Sequence, residues 1–303
     1  MIKQTVNDNS NQKITIKSGL ILILSFLKYV RFKKYFSMIK LFIGSFGNKW
    51  RKAIFFDKLL HEISIFTLRN KKETSFHTVF FNSLAHIQHH YFYNSKVGDQ
   101  IIKNPSWYIK NNKDPLLEAL KEFDDILNDY LKQKDTEVLI ATGLTQTPCS
   151  DIQYYWRLKN HEEFLDRLDI KYKAVKPRMT RDFLIEFDEE EDLLLAHDKL
   201  NNIYVNNTGN KIFGEIDNRG KSLFVVLDYS HDLTNKIFNF NDLRLEANNL
   251  VTFVAIKNGK HDPQGFIFFT DGLKYLINEK NFHVSNIFNI IKSYFLKDTT
   301  NAM

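Results

Sequence analysis

"TEVLIATGL", residues 136–144, is an apolar, β-rich run that ends in a glycine-containing loop. Ahead of it stands "DPLLEALKEFDDILNDYLKQ" (114–133). There Asp114 can cap a helix, Pro115 suits the first turn, and Leu117, Leu120, Ile126, Leu127 and Leu131 supply the expected buried face. Further upstream "FHTVFFN" (76–82) has strand character, and "FFNSLAHIQHHYFYN" (80–94) continues it as a helix. Strand, helix, helix, strand in this order predicts a βαβ crossover and makes 136–144 a buried, parallel-type strand. The fold class expected is α/β: a mixed, mainly parallel sheet flanked by helices over residues 75–303, preceded by a helical N-terminal region over residues 1–74.

Downstream, "HEEFLDRLDI" and "EEEDLLLAHDKLN" have helical spacing and "RDFLIEF" reads as a strand. "KIFGEIDNRGKSLFVVLDYS" reads as two strands joined by an Asn/Gly turn, with "NLVTFVAIKNG" and "FIFF" as further strands. Upstream, residues 1–13 are polar and expected to fray. From about 18 to 70 apolar positions recur at helical spacing, with Ile54, Phe55, Leu59, Ile63 and Phe66 in one stripe and a break near Gly44 and Gly47. "GLILILSFL" (19–27), between Lys17 and Lys28, falls far short of the ~20 residues a membrane-spanning helix needs. "KYVRFKKYF" follows it, which is no signal-peptide cleavage site, so the run is expected to pack on the domain or touch a membrane surface.

The 303 residues, 43% of them hydrophobic, can bury a substantial core. The lone cysteine, Cys149, excludes an intramolecular disulfide framework and a Cys-rich zinc site and fits the cytoplasm. Neither a Walker-type nor a G-x-G-x-x-G loop is present, which leaves nucleotide binding through a glycine cradle unsupported, and no specific nucleic-acid motif appears. No repeat or Gly/Ser linker divides the chain. The net charge of +6 is uneven: nine Lys/Arg residues and one acid, Asp57, lie between Lys28 and Lys58. Such a run is a solvated helix face, or it meets lipid headgroups, nucleic acid or the acidic face of a partner. A peripheral position at an anionic membrane through residues 28–58 is one expectation.

Ligands of open α/β sheets bind beyond the carboxyl ends of strands, which directs attention to the loops after Phe81, Ile140 and Ile256. The first offers Asn82 and His86, with His89 and His90 one helical turn on; the second Thr142, Thr145 and Gln146; the third Gly259 and His261. A histidine pair at i, i+4 holds a metal or merely caps, stacks and satisfies buried groups. A third histidine at another strand end favours the metal, since a catalytic zinc takes three protein ligands. Arg157, Lys159, His161, Arg178 and Arg181 either clamp an anionic group or form ion pairs with nearby acids such as Asp182.

Strand–"NSLAH", strand–"ATGL" and strand–"NGKHD" together resemble the later half of the alkaline phosphatase superfamily, in particular its type I phosphodiesterase and nucleotide pyrophosphatase branch. The family carries D-x-x-G-H, S-D-H-G and G-x-H-G after sheet strands. His86 matches the first histidine, Asn82 and Ala85 replace that motif's aspartate and glycine, Thr142 and Gly143 stand in the Asp-His places, Gly259 and His261 match, and Asp262 replaces the last glycine. The resemblance implies hydrolysis or transfer of a phosphate-containing ester, borne by a small molecule, glycan or lipid. It also implies one divalent ion, zinc, held by His86, His261 and Asn82. Thr142 and Gln146 would line the pocket, with Arg178 or Arg181 on the anionic substrate. Residues 1–70 contain no match to the leading aspartate and the Thr/Ser nucleophile, so no catalytic nucleophile is assigned. Those motifs are expected before Met1 if the chain is the back half of a two-metal hydrolase. The alternative is a non-catalytic binding or scaffold protein that meets an anionic surface or partner through its basic N-terminal helices.

Overall fold

The computed structural model describes residues 16–70, 76–97, 101–178, 180–277 and 280–300. In chain order the helices are α1 (Ile16–Tyr29), α2 (Tyr35–Gly44), α3 (Trp50–Asn70), α4 (Ser83–Tyr91), α5 (Pro115–Leu131), α6 (His161–Arg167), α7 (Glu190–Asn201), α8 (Ala247–Leu250) and α9 (Asn286–Thr300). The strands are β1 (Leu139–Thr142), β2 (Thr145–Leu158), β3 (Ala174–Pro177), β4 (Asp182–Glu186), β5 (Tyr204–Val205), β6 (Asp217–Asn218), β7 (Ser222–Val226), β8 (Ile237–Phe240), β9 (Leu243–Glu246), β10 (Val251–Asp262) and β11 (Phe266–Phe269). Contacts divide the chain into one unit of Met1–Leu24 and Ser150–Lys257 and another of Ser25–Cys149 and Asn258–Met303. The chain passes from one to the other inside α1, inside β2 and inside β10.

In the unit that contains residues 25–149, Asp114 caps α5 by accepting the Leu117 N–H at 2.9 Å, and Pro115 occupies the first turn. The buried face is Leu116, Ala119 and Ile126; of the expected row Ile126 is buried and Leu117 and Leu127 are half-buried, but Leu120 and Leu131 are exposed. An acidic stripe alongside explains the rotation. Glu118, Glu122, Asp125 and Asp129, spaced 4-3-4 along one side of α5, meet Arg51 at 2.7 Å, Lys58, Lys34 at 3.6 Å and Arg31 at 2.5 Å. Much of the basic run between Lys28 and Lys58 is thus answered inside the chain.

Residues 76–82 form no strand. Among the described residues they belong to no sheet, with Phe76 and Phe80 exposed. Nor is 136–144 a buried parallel strand: β1 pairs antiparallel with β11, Leu139 opposite Phe269 and Thr142 opposite Phe266, with Ala141, Thr142, Phe266 and Phe268 exposed. A β-rich apolar run carries no information about the direction of its partner. The two strands come close just before β11, where a side chain on Gly265 would collide with the Thr142 carbonyl.

The other unit is built on a sheet of order β3-β4-β7-β6 in which every pairing is antiparallel. A second antiparallel sheet runs β5-β8-β9. The Asn/Gly turn between β6 and β7 forms as expected: Gly220 takes φ +83°, and its N–H donates to Asn218 Oδ1 at 3.0 Å. Phe164 and Leu165 of α6, Leu193 and Leu200 of α7, and Phe183, Ile185, Leu223 and Val225 of the sheet make the core. Each such side chain contributes about 1.5–3 kcal/mol by leaving water. Helices and strands do mix as expected, but the strands form small antiparallel sheets rather than a mainly parallel one.

Candidate functional site

α4 begins at Ser83 because a carboxylate from α3 meets its first amides. Asp57 Oδ2 accepts the Asn82 N–H at 3.0 Å and the Ser83 N–H at 2.7 Å, favourable both for the hydrogen bonds and for the positive end of the helix dipole. Burial raises the Asp57 carboxyl and these two amides offset part of the rise. From this start His86, His89 and His90 fall within one turn and a fraction. The His86 and His90 rings lie 4.8 Å apart, and the His89 and His261 rings 4.9 Å apart.

Gly259 is what brings β10 against α4. A Cβ there would stand 2.6 Å from Gln146 Oε1 and 2.8 Å from the Gln88 carbonyl oxygen, and the latter is backbone that cannot swing aside. Asn258 secures the same segment: its Oδ1 accepts from the Tyr93 N–H at 3.0 Å and from Asn104 Nδ2 at 2.8 Å. The resulting geometry fixes one histidine tautomer. His89 Nδ1 lies 3.0 Å from the Gly259 carbonyl, which only accepts, so Nδ1 carries hydrogen and the Nε2 lone pair points away from it. His261 Nε2 stands 3.0 Å from that Nε2.

Of the residues singled out by sequence, His261 therefore meets His89, while His86 meets His90. His86 has an exposed side chain; desolvation on its packed side and the charge of His89 both lower its pKa. Asn82 precedes α4 with an exposed side chain that makes no cap. Thr142 belongs to the β1–β11 ladder, its Oγ1 accepting the Phe266 N–H at 2.8 Å. Gln146 is buried under the histidine face; its Nε2 donates to the Ala85 carbonyl at 2.9 Å, and its Oε1 is buried with no hydrogen-bond partner among the described residues.

Arg178 and Arg181 lie in the other unit. Arg178 is exposed and holds a turn through its N–H to the Asp182 carbonyl at 2.9 Å. Arg181 pairs with Asp228 at 2.8 Å and lies over the Tyr155 ring at 4.3 Å, so its partner is Asp228 rather than Asp182. His161 packs edge-on against Phe183 at 4.9 Å. Burial and the Arg157 charge push it down to about 4.

A second titratable cluster escaped the sequence reading. His61 and Glu62 of α3 and Asp129 of α5 place their ligand atoms within 4.8 Å of one another, the one such group of three or more among the described residues. Arg31 already fills it: its guanidinium donates to Glu62 Oε2 at 2.8 Å, Glu62 Oε1 at 2.5 Å and Asp129 Oδ2 at 2.5 Å. His61 Nε2 lies 3.0 Å from the same Asp129 oxygen, and Nδ1 is buried without a partner among the described residues; desolvation disfavours the imidazolium and lowers its pKa. Burial pushes Asp129 up, but hydrogen bonds from Arg31 and His61 outweigh it and hold the carboxyl well below the usual range. A guanidinium bonded to both carboxylates makes this an internal ion network. The signal legible beforehand was the 4-3-4 acidic stripe on α5.

Compared with family models, with curated proteins and with solved structures, the chain shows no match.

Proposed function

We propose that this chain binds a divalent transition metal through His89 and His261 and acts on a phosphate-containing ester. One observation carries the reading: two imidazole Nε2 atoms face each other at 3.0 Å, one of them with its tautomer fixed by the Gly259 carbonyl. A ring N–H on a backbone carbonyl is the usual outer support of a metal-ligating histidine. The pair contains neither thiolate nor carboxylate, a donor set suited to zinc, copper or nickel, and it leaves coordination positions open. When bound, such an ion supplies Lewis acidity toward a phosphoryl oxygen.

The chain's own residues provide position. Gly259 permits the approach, Gln146 holds the start of α4, and His86, with its lowered pKa, stays neutral at pH 7 beside the pair. The substrate class rests on the resemblance of Gly259-x-His261 and the "NSLAH" segment to phosphodiesterase motifs. The test is zinc titration by calorimetry, metal analysis of the purified chain, and an aryl phosphodiester assay. His89→Ala and His261→Ala are expected each to weaken zinc binding at least tenfold and abolish turnover, whereas Asn82→Ala leaves binding within twofold. A parent protein that takes up no zinc, or an unchanged affinity in both histidine variants, sinks the reading.

A further inference from the structure

We infer that the end of α1 from Ser25 on, the connection after it and α2 dock together on an anionic lipid surface. Helix α1 is apolar apart from Lys17, Ser18, Ser25 and Lys28, yet Ile16, Leu20, Ile23 and Leu27 are exposed along one side of it. Lys17 and Lys28 flank that row at helical spacing. In α2 the residues facing away from buried Met38 and Leu41 are Phe36, Lys40 and Ile43. Phe32, Phe36 and Phe46 are 86%, 82% and 80% exposed, far beyond the scattered apolar residues of an ordinary surface. The connection is set firmly: the Tyr35 hydroxyl donates to the Leu27 carbonyl at 3.1 Å, its ring meets Phe26 and Phe32, and Arg31 is bound to Glu62 and Asp129.

Charge identifies the occupant. Sequence from residue 9 to residue 56 contains no acidic residue. Arg31, Lys34, Arg51 and Lys58 pair with the α5 stripe, while Lys28, Lys33, Lys40 and Lys49 keep exposed side chains among the apolar ones. Lysines interleaved with Phe, Leu and Ile suit headgroups above and acyl chains below. A nucleic acid would use the lysines but not the aliphatic rows. No helix among the described residues is long and apolar enough to cross a membrane.

The test is flotation of the full chain with vesicles of phosphatidylcholine alone or with about one-third phosphatidylglycerol. Binding is expected on the anionic vesicles only. It should weaken about fivefold per lysine, or roughly 100-fold, in the Lys28→Gln, Lys33→Gln, Lys40→Gln triple variant. Phe32→Ser with Phe36→Ser and Phe46→Ser should abolish it too; every altered side chain is exposed, and circular dichroism verifies folding. Absence of binding to anionic vesicles overturns the inference. So does binding that is indifferent to the phenylalanines, or association with polyuridylate as tight as with lipid. Because the histidine residues are untouched, zinc binding by the same variants separates this outcome from that of the proposed metal chemistry.

Discussion

His161 shows how a single residue can set a pH response. It occupies the first turn of α6, beside Arg157 and against Phe183, where burial, the neighbouring cation and the positive end of the helix all disfavour the imidazolium. Its folded pKa of about 4 lies below the ordinary 6.5, so the folded state binds fewer protons than the unfolded chain between these values. Its contribution to stability is therefore complete above pH 6.5 and falls as the pH drops toward 4, by about 3 kcal/mol at most over that interval. Thermal melts of the parent and of His161→Phe across pH 4 to 7.5 check this: the variant should have the shallower acid limb. Parallel curves would contradict the assignment.

Helix α4 illustrates dependence between elements. Its histidines are positioned by a start that its own sequence does not dictate, because Asn82 makes no side-chain cap and Asp57 of α3 supplies the acceptor. Replacing Asp57 by Ala strands two amide N–H groups and should cost ~1–3 kcal/mol. In the same variant, hydrogen exchange of the Ser83 to Ile87 amides should quicken before that of α5 does. Equal protection of α4 in variant and parent would show that the cap is dispensable. The acidic stripe of α5 is the complementary case, since one row of carboxylates organises four basic residues, two from the connection between α1 and α2 and two from α3.

At the scale of the whole molecule the chain carries two contact-dense units, and the one built on residues 150–257 has a core of its own. Phe183, fully buried between β4 and its covering helices, belongs to that unit, and Ile126, buried in α5, to the other. Truncating Phe183 to Ala should cost ~3–5 kcal/mol, and Ile126 to Ala ~2–5 kcal/mol. Differential scanning calorimetry should resolve two transitions, the first substitution lowering one and the second the other. A single transition shifted equally by both would mean that the units melt as one.

Much of the local structure was legible beforehand. The Asp114-Pro115 start of α5, the Asn218 to Gly220 turn, the strand at "RDFLIEF" and the first part of the α3 stripe, Ile54, Phe55 and Leu59, rest on capping, backbone conformation and periodicity, which act over a few residues; Phe66 of the same stripe is exposed. The long-range choices were not. An apolar run such as 136–144 reads the same beside a parallel or an antiparallel neighbour, and its partner, β11, lies more than 120 residues further along the chain. The segment 76–82 likewise has strand composition, but a strand exists only where another backbone takes its hydrogen bonds. At the histidine face the sequence determined that His86, His89 and His90 share a short helix and that His261 follows Gly259. Tertiary structure decided that His89 faces His261, because a glycine without a Cβ let β10 approach the Gln88 carbonyl closely enough to seat one imidazole on its own.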